Sequence, residues 1–351
     1  MIKKYQTLIY IGRFSPFHHG HLETIKTASK LCQKLLIIVG SSHGPRTIKN
    51  PWTFEERKKF IFDSIEHAKQ TGDIDNDVDI IVNPVVDYIY NDERWVTDIL
   101  RIVHLGEAFG HGDSVGIIGY EKDESSFYLN MFPQWSKHLI NAVKSDNHII
   151  NGTDIRKAFF HGCIEKYVDY LPHPVYLDLY TKYNYPSFKE LRTEKLYIDD
   201  YKQQFSKLPY PPIFVTTDAV VVQSGHVLMV KRRSYPGKGL WALPGGFVNA
   251  ETDRSLIDAM LRELREETKL KVPDKVLRGS IINNRVFDAV GRSLRGRTIT
   301  HAYHIKLPDG ELPKVKGSDD AEKAKFVPLN EIKRDECFED HYEIISWFTG
   351  I

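Results

Sequence analysis

The stretch Gly12-Arg13-Phe14-Ser15-Pro16-Phe17-His18-His19-Gly20-His21 follows a short apolar run, Thr7-Leu8-Ile9-Tyr10-Ile11, and decides the fold of the first half. The run is rich in β-formers and reads as a buried strand. From Leu22 to Leu35 the apolar residues Ile25, Ala28, Leu31 and Cys32 recur at helical spacing. The quoted residues are therefore a strand-to-helix turn. Gly12 and Gly20 permit close backbone approach, and a helix start offers free N–H groups and a positive dipole end. Such a turn suits anionic phosphates. His18 and His21, three residues apart, would reach one phosphate together. Taken singly, either histidine reads equally well as a surface residue of a turn.

Outward from the turn, strands alternate with helices. Leu35 to Gly40, Asp79 to Val82, Ser114 to Gly119 and His148 to Ile150 read as further strands. A helix is expected from Thr53, where Thr53-Phe54-Glu55-Glu56 approximates a capping box. Another should run through Trp95, Ile99, Leu100 and Val103. This order predicts a Rossmann-like α/β domain with a parallel sheet and ligands at the carboxyl ends of its strands. Val175 to Phe205 reads as one or two helices. Leu208-Pro209-Tyr210-Pro211-Pro212 is the clearest linker, so domains are expected over 1–207 and 208–351.

The bulk composition is that of a globular protein. In 351 residues, 48 Lys and Arg nearly balance 47 Asp and Glu, a net charge of +1. That balance gives no case for a nucleic-acid or membrane partner. Cys32, Cys163 and Cys337 match no metal spacing and read as thiols of a reducing compartment. No run approaches a membrane span, and the N-terminal segment lacks the pattern of a signal peptide. A cytoplasmic location is expected, and homo-oligomerisation is left open.

Gly12–His21, in the form GRFxPxHxGH, resembles the (H/T)xGH signature of nucleotidylyltransferases, in its archaeal-type NMN adenylyltransferase version. Asn151-Gly152-Thr153-Asp154-Ile155-Arg156 resembles the ISxTxIR motif of the same superfamily, with Asn151 where Ser is usual. Lys49-Asn50-Pro51-Trp52-Thr53 with Glu56-Arg57 resembles the KNPFT…ER segment, and Asp87 to Trp95 the nicotinamide-recognition loop. The resemblance implies that the 5′-phosphate of NMN attacks the α-phosphate of ATP, giving NAD⁺ and pyrophosphate. His18, His21 and Arg156 would be catalytic. Gly12, Arg13, Phe14, Lys49, Asn91, Trp95, Asn151 and Thr153 would bind substrates, and Mg²⁺ would bridge phosphates. A Trp face would favour the cationic nicotinamide ring; core packing is the other reading of Trp95. Another acceptor, such as nicotinate mononucleotide or a pantetheine or flavin phosphate, is the alternative.

Beyond the linker the pattern changes to a hairpin, Phe214 to Val222 and Val227 to Arg232, then Pro244-Gly245-Gly246 and a helix from about Ser255 to Lys269. On that helix Glu263, Glu266 and Glu267 share one face. Crowded carboxylates call for an oxygen-ligated cation, Mg²⁺ or Mn²⁺. The other reading is a solvated face with Arg262 and Arg265 paired to glutamates. Gly245-Gly246 with Arg262-Glu263-Leu264-Arg265-Glu266-Glu267 resembles the Nudix box, which implies an α/β/α sandwich, catalysis by Glu263 and Glu267, and substrate binding at Gly245 and Gly246. The spacing from Gly246 to Arg262 is two residues longer than the box, Glu251 is the nearest candidate for its first Glu, and Lys269 replaces its late Gly. The implied activity is hydrolysis of ADP-ribose to AMP and ribose 5-phosphate; a non-hydrolytic ADP-ribose sensor is the alternative. Asn283 to Asp288 and Arg292 to Arg297 would line a nucleotide pocket, or the latter would be a hairpin tip.

Overall fold

The computed structural model describes residues 3–105, 114–120, 128–145 and 148–351. The chain packs into two units, Met1–Arg192 and Thr193–Ile351. In the first, strand β1 (Tyr5–Gly12) serves two cores with alternate residues. Leu8 and Tyr10 point into one, Ile9 and Ile11 into the other. Strand β2 (Cys32–Val39) does the same, with Leu35, Ile37 and Val39 against Leu36 and Ile38. Burial on both faces is why these strands read as continuous apolar runs.

Helix α1 (His19–Leu31) follows β1, and α2 (Phe54–Gln70) follows β2. Strand β3 (Asp79–Pro84), helix α3 (Asp92–Leu105), and strands β4 (Val115–Gly119) and β5 (Ser136–Leu139) come next. The sheet order is β3-β2-β1-β4-β5, with every pair parallel. The chain passes from β1 to β2 on one side and, after β3, crosses to β4 on the other, a switch that opens a crevice at the carboxyl end of β1. Helix α4 (Gly152–Phe160) returns to that end, and α5 (His173–Lys182) and α6 (Pro186–Gln203) follow. The division between the units falls within α6.

Two expectations are corrected. The fifth strand of the sheet is Ser136–Leu139, not His148 to Ile150; His148–Ile149 (β7) pairs antiparallel with Lys144–Ser145 (β6) in a separate ribbon. As an edge strand, β5 is largely exposed and carries no apolar signature. Helix α1 starts at His19 and stops at Leu31, because Cys32 already pairs with Tyr5 in the sheet.

The second unit is a mixed sheet between helices. It contains β8 (Ile213–Gln223), β9 (His226–Arg232), β10 (Trp241–Ala242), β11 (Gly245–Phe247), β12 (Ile281–Phe287), β13 (Arg297–Lys306) and β14 (Ala321–Pro328). The central order is β10-β9-β8-β13-β12, with β11 paired to β8 and β14 to β9. Helix α7 (Leu256–Thr268) buries Met260, Leu261 and Leu264 against Ala219, Val221, Leu228 and Tyr303. The short helix α8 (Asp274–Gly279) joins that core through Leu277. On the opposite face α9 (His341–Thr349) sets Trp347 and Phe348 against Phe287, with ring centroids 6.1 and 6.0 Å away. This is the expected α/β/α sandwich.

Arg292, in the connection from β12 to β13, fixes the start of α9. Its Nε and Nη2 donate to the two oxygens of Asp340, each at 2.8 Å, with both side chains buried. Removing one partner of such a pair leaves a charge without solvent or counter-ion. Asp340→Ala should therefore destabilise the second unit by about 3–5 kcal/mol in a urea titration. The double change Arg292→Met, Asp340→Leu should recover most of that loss, and a single-variant cost below about 1 kcal/mol would contradict the assignment.

Candidate active sites

The first site is built on the turn between β1 and α1. His18 is the extended N-cap residue of α1 (φ −145°, ψ 171°). Its carbonyl accepts from the N–H groups of His21 and Leu22 at 2.9 and 3.1 Å. Its own N–H donates to Nδ1 of His21 at 3.2 Å. An accepting Nδ1 leaves the His21 proton on Nε2. The two imidazoles stack with centroids 3.7 Å apart, and the His21 ring also stacks on Phe17 at 5.5 Å. Burial lowers the pKa of His21 to about 3 and that of His18 well below the ordinary imidazole value. Both rings are neutral at pH 7. Among the described residues, Nδ1 of His18 is buried with no hydrogen-bond partner, a polar atom in want of a ligand.

Arg156 comes from the first turns of α4. Its Nη1 donates to the carbonyl of Ser15 and its Nη2 to Oγ1 of Thr153, the latter at 3.0 Å. Burial, then the nearby Arg13, lower its pKa to about 10, so it stays charged. Asn151 caps α4 by accepting from the N–H of Asp154 at 3.0 Å. A Cβ on Gly152 would stand 2.9 Å from the Ser15 carbonyl oxygen, so only glycine lets this helix start approach the turn. A cavity of about 230 Å³ collects Gly12, Arg13, Phe14, His18, His21, Asn151, Thr153 and Arg156. Tyr10, Tyr128 and Asn141 also line it, which the motifs did not indicate.

Lys49, Asn91 and Trp95 are not part of that cavity. Lys49 is exposed on the segment after β2. Asn91 caps α3, its Oδ1 accepting from the N–H of Arg94 at 2.9 Å. It lines a separate open depression with Tyr88, Arg94, Asp98 and Arg101. Trp95 packs toward the second core, 6.0 Å from the ring of Phe132.

The second site is built where β11 meets α7. The N–H of Gly245 donates to Oε2 of Glu267 at 3.0 Å. A Cβ on Gly246 would stand 2.5 Å from the Glu263 carboxyl group. Arg262 gathers the neighbouring carboxylates. Its Nη1 donates to Glu263 at 2.8 Å and Glu266 at 2.9 Å, while Nε and Nη2 hold both oxygens of Asp253 at 2.9 and 2.8 Å. Arg262 thus pairs with Asp253 in the lengthened loop, whereas Glu251 is exposed. Lys269 closes α7 with φ 52°, the left-handed conformation that a glycine adopts at less cost.

Burial raises the pKa of Glu263 and pushes that of Glu267 up to about 8, with Glu263 adding repulsion. Among the described residues, no group of three or more His, Cys, Asp or Glu side chains is placed so that it could hold a metal ion by itself. Glu263 and Glu267 are hard oxygen donors on one helix face, held near each other at the expense of their charged forms. They fit a cation that keeps waters and substrate phosphates as its other ligands.

A cytidylyltransferase-like family model matches residues 9–158, and a NUDIX domain model matches residues 213–348. The chain is 36% identical over 162 residues to the nicotinamide/nicotinic acid mononucleotide adenylyltransferase of Acinetobacter baylyi, covering 46% of this chain and 79% of that one. It is 35% identical over 140 residues to the ADP-ribose pyrophosphatase of Methanocaldococcus jannaschii, covering 39% and 75% of the two chains. The crystal structure of a bifunctional NMN adenylyltransferase/ADP ribose pyrophosphatase from Francisella tularensis is 34% identical, covers 99% of both chains and superposes with a TM-score of 0.89. The chain belongs to this bifunctional family.

Its two halves are an NMN adenylyltransferase-like and a Nudix domain, each with its polar groups at the end of a strand. A Francisella tularensis structure of a bifunctional NMN adenylyltransferase/ADP ribose pyrophosphatase, with TM-score 0.88, is complexed with AMP and a manganese ion.

The neutral state of the histidine pair is open to measurement. A His whose pKa is lowered on folding loses stability as pH falls from about 6.5 toward its folded value, because the unfolded chain then binds the extra proton. The His21 ring signals in NMR spectra of the ligand-free protein should not titrate above pH of about 5. A midpoint near the ordinary value of about 6.5 would contradict the buried, neutral pair.

Proposed function

We propose that the first domain joins NMN to the adenylyl group of ATP, giving NAD⁺ and pyrophosphate, and that the second hydrolyses ADP-ribose to AMP and ribose 5-phosphate. We assign the activities to residues 1–207 and 208–351. The observation that carries this reading is the likeness along 99% of both chains to a bifunctional enzyme of that name, at 34% identity.

In the first reaction a phosphate oxygen of NMN bonds to the α-phosphorus of ATP, and the bond to the bridging oxygen of pyrophosphate breaks. No side-chain nucleophile is needed, so catalysis rests on positioning and charge stabilisation. His21 would donate from Nε2 to a phosphate oxygen, with His18 stacked beside it. Arg13 and Arg156 would neutralise the triphosphate, and Gly12, Phe14, Asn151 and Thr153 would shape its seat. Lys49 and Asn91 are assigned to the acceptor, with Trp95 supporting that wall from the core side. The Acinetobacter baylyi relative is named for both mononucleotides, so nicotinate mononucleotide belongs in the acceptor assay.

In the second reaction water attacks the diphosphate and the P–O–P bridge breaks. Glu263 and Glu267, with Glu266 beside them on the same helix face, would hold Mg²⁺ or Mn²⁺ together with water and substrate phosphate, and the ion would supply charge neutralisation and a more acidic water when bound; Mg²⁺ is assigned to the triphosphate site as well. Arg262 orients Glu263 and Glu266, and Glu267, backed by the Gly245 N–H, is placed to take the water's proton. Gly245 and Gly246 let the substrate approach the carboxylates without a side chain between.

His18→Ala should abolish NAD⁺ formation and leave ADP-ribose hydrolysis within about twofold. Glu267→Gln should do the reverse. Binding of ADP-ribose without Mg²⁺-dependent turnover by the wild-type chain would favour a sensing domain. Loss of both activities in either variant, with the fold intact, would contradict two separate sites.

A further inference from the structure

Arg57 is 1% exposed on the first turn of α2, yet it belongs to none of the groups assigned above. All four of its hydrogen bonds run to backbone carbonyls. Nη1 donates to Arg13 and to Gly40, both at 2.7 Å. Nη2 donates to Ser41 at 3.0 Å and Nε to Thr53 at 3.3 Å. The fork therefore spans the turn after β1, the segment after β2 and the start of α2. The N–H of Gly40 donates to the carbonyl of Gly12 at 2.9 Å, which ties the same two strand ends. Asp87, after β3, closes the cluster by accepting from the Ser41 N–H at 3.0 Å and from its hydroxyl.

Two features set this cluster apart from ordinary core packing. A guanidinium is costly to take out of water, and this one is bonded to carbonyls of three separate segments rather than to a carboxylate. Burial lowers the Arg57 pKa to about 10, so the group remains a cation at neutral pH. Second, the segment it grips is strained: Ser41 and His43 have φ of 51° and 61° without being glycine. Such conformations persist where the surroundings enforce them, and they gather at functional sites.

We propose that Arg57 is a positioning residue for adenylyl transfer, setting the spacing between the phosphate turn after β1 and the acceptor segment after β2. This rests on the proposed first reaction. The carbonyl of Arg13 lies in the turn that receives the triphosphate, and those of Gly40 and Ser41 lead into the segment that carries Lys49. One rigid fork holds both, so it holds the attacking oxygen and the α-phosphorus at their reacting distance. A lysine keeps the charge but presents no planar fork.

The test is steady-state kinetics of the full chain with NMN and ATP, comparing wild type with Arg57→Lys. We expect kcat to fall about 100-fold while KM for ATP stays within about threefold, the signature of lost alignment with the triphosphate seat intact. Arg57→Ala should likewise be slow, and added methylguanidinium should restore part of its kcat. ADP-ribose hydrolysis by the same samples should be unchanged. A kcat for Arg57→Lys within about twofold of wild type would overturn the inference. So would a parallel loss of kcat, ATP affinity and thermal stability with no rescue of Arg57→Ala, which marks a purely structural residue. Absence of NAD⁺ formation by the wild type would instead sink the functional reading.

Discussion

Both sites depend on one constraint: a backbone without a Cβ where a strand end meets a polar group. At Gly245, whose N–H holds Glu267, a methyl group would stand 2.1 Å from the Thr217 carbonyl oxygen, and at Gly152 it would stand 2.9 Å from the Ser15 carbonyl oxygen. Each close approach brings a helix start or a helix side chain against backbone from another part of its own domain. The first lets α7 present its carboxylates beside β11. The second sets Arg156 against the turn that carries His18 and His21. The rest of each domain, two cores around a parallel sheet or a mixed sheet between helices, holds these approaches in register.

The electrostatics of the two sites run in opposite senses. Burial makes the histidine pair neutral, so the first site offers an anion hydrogen-bond donors and the Arg156 guanidinium rather than imidazolium charge. In the second site burial raises the carboxyl groups of Glu263 and Glu267, which makes that helix face a place for a cation. On the proposed reading a polyanionic nucleotide is common to both, with arginine at the first site and carboxylates suited to a cation at the second. Making and cutting a diphosphate bond are thus supported by different donor sets within one chain.

Much of this was legible in the sequence, for physical reasons that differ by element. Strands β1 and β2 are buried on both faces and announce themselves as apolar runs; β5, an exposed edge of sequence Ser136-Lys137-His138-Leu139, does not. The start of α1 carries no serine or aspartate signal, because its cap is a histidine, with His21 accepting from the cap residue's N–H. The shared face of Glu263, Glu266 and Glu267 on α7 follows from helical spacing, and its significance from the resemblance to the Nudix box. Asp253 could not be found that way, since its pairing with Arg262 depends on the path of a lengthened loop. Arg57 was seen only as part of a motif, because bonds to carbonyls leave no partner residue in the sequence. Trp95, read as a ring-stacking or a core residue, packs toward the core beside Phe132.

The central claim is that one chain carries two centres, one that forms a diphosphate bridge and one that cleaves it. Phosphorus NMR on a single wild-type preparation tests it most directly, with NMN, ATP and Mg²⁺ in one tube and ADP-ribose and Mg²⁺ in another. The account predicts pyrophosphate appearing in step with the diphosphate signal of NAD⁺ in the first. In the second it predicts the ADP-ribose diphosphate giving way to the monoester signals of AMP and ribose 5-phosphate. Release of orthophosphate in the first tube without NAD⁺, or an unchanged diphosphate signal in the second, would contradict it.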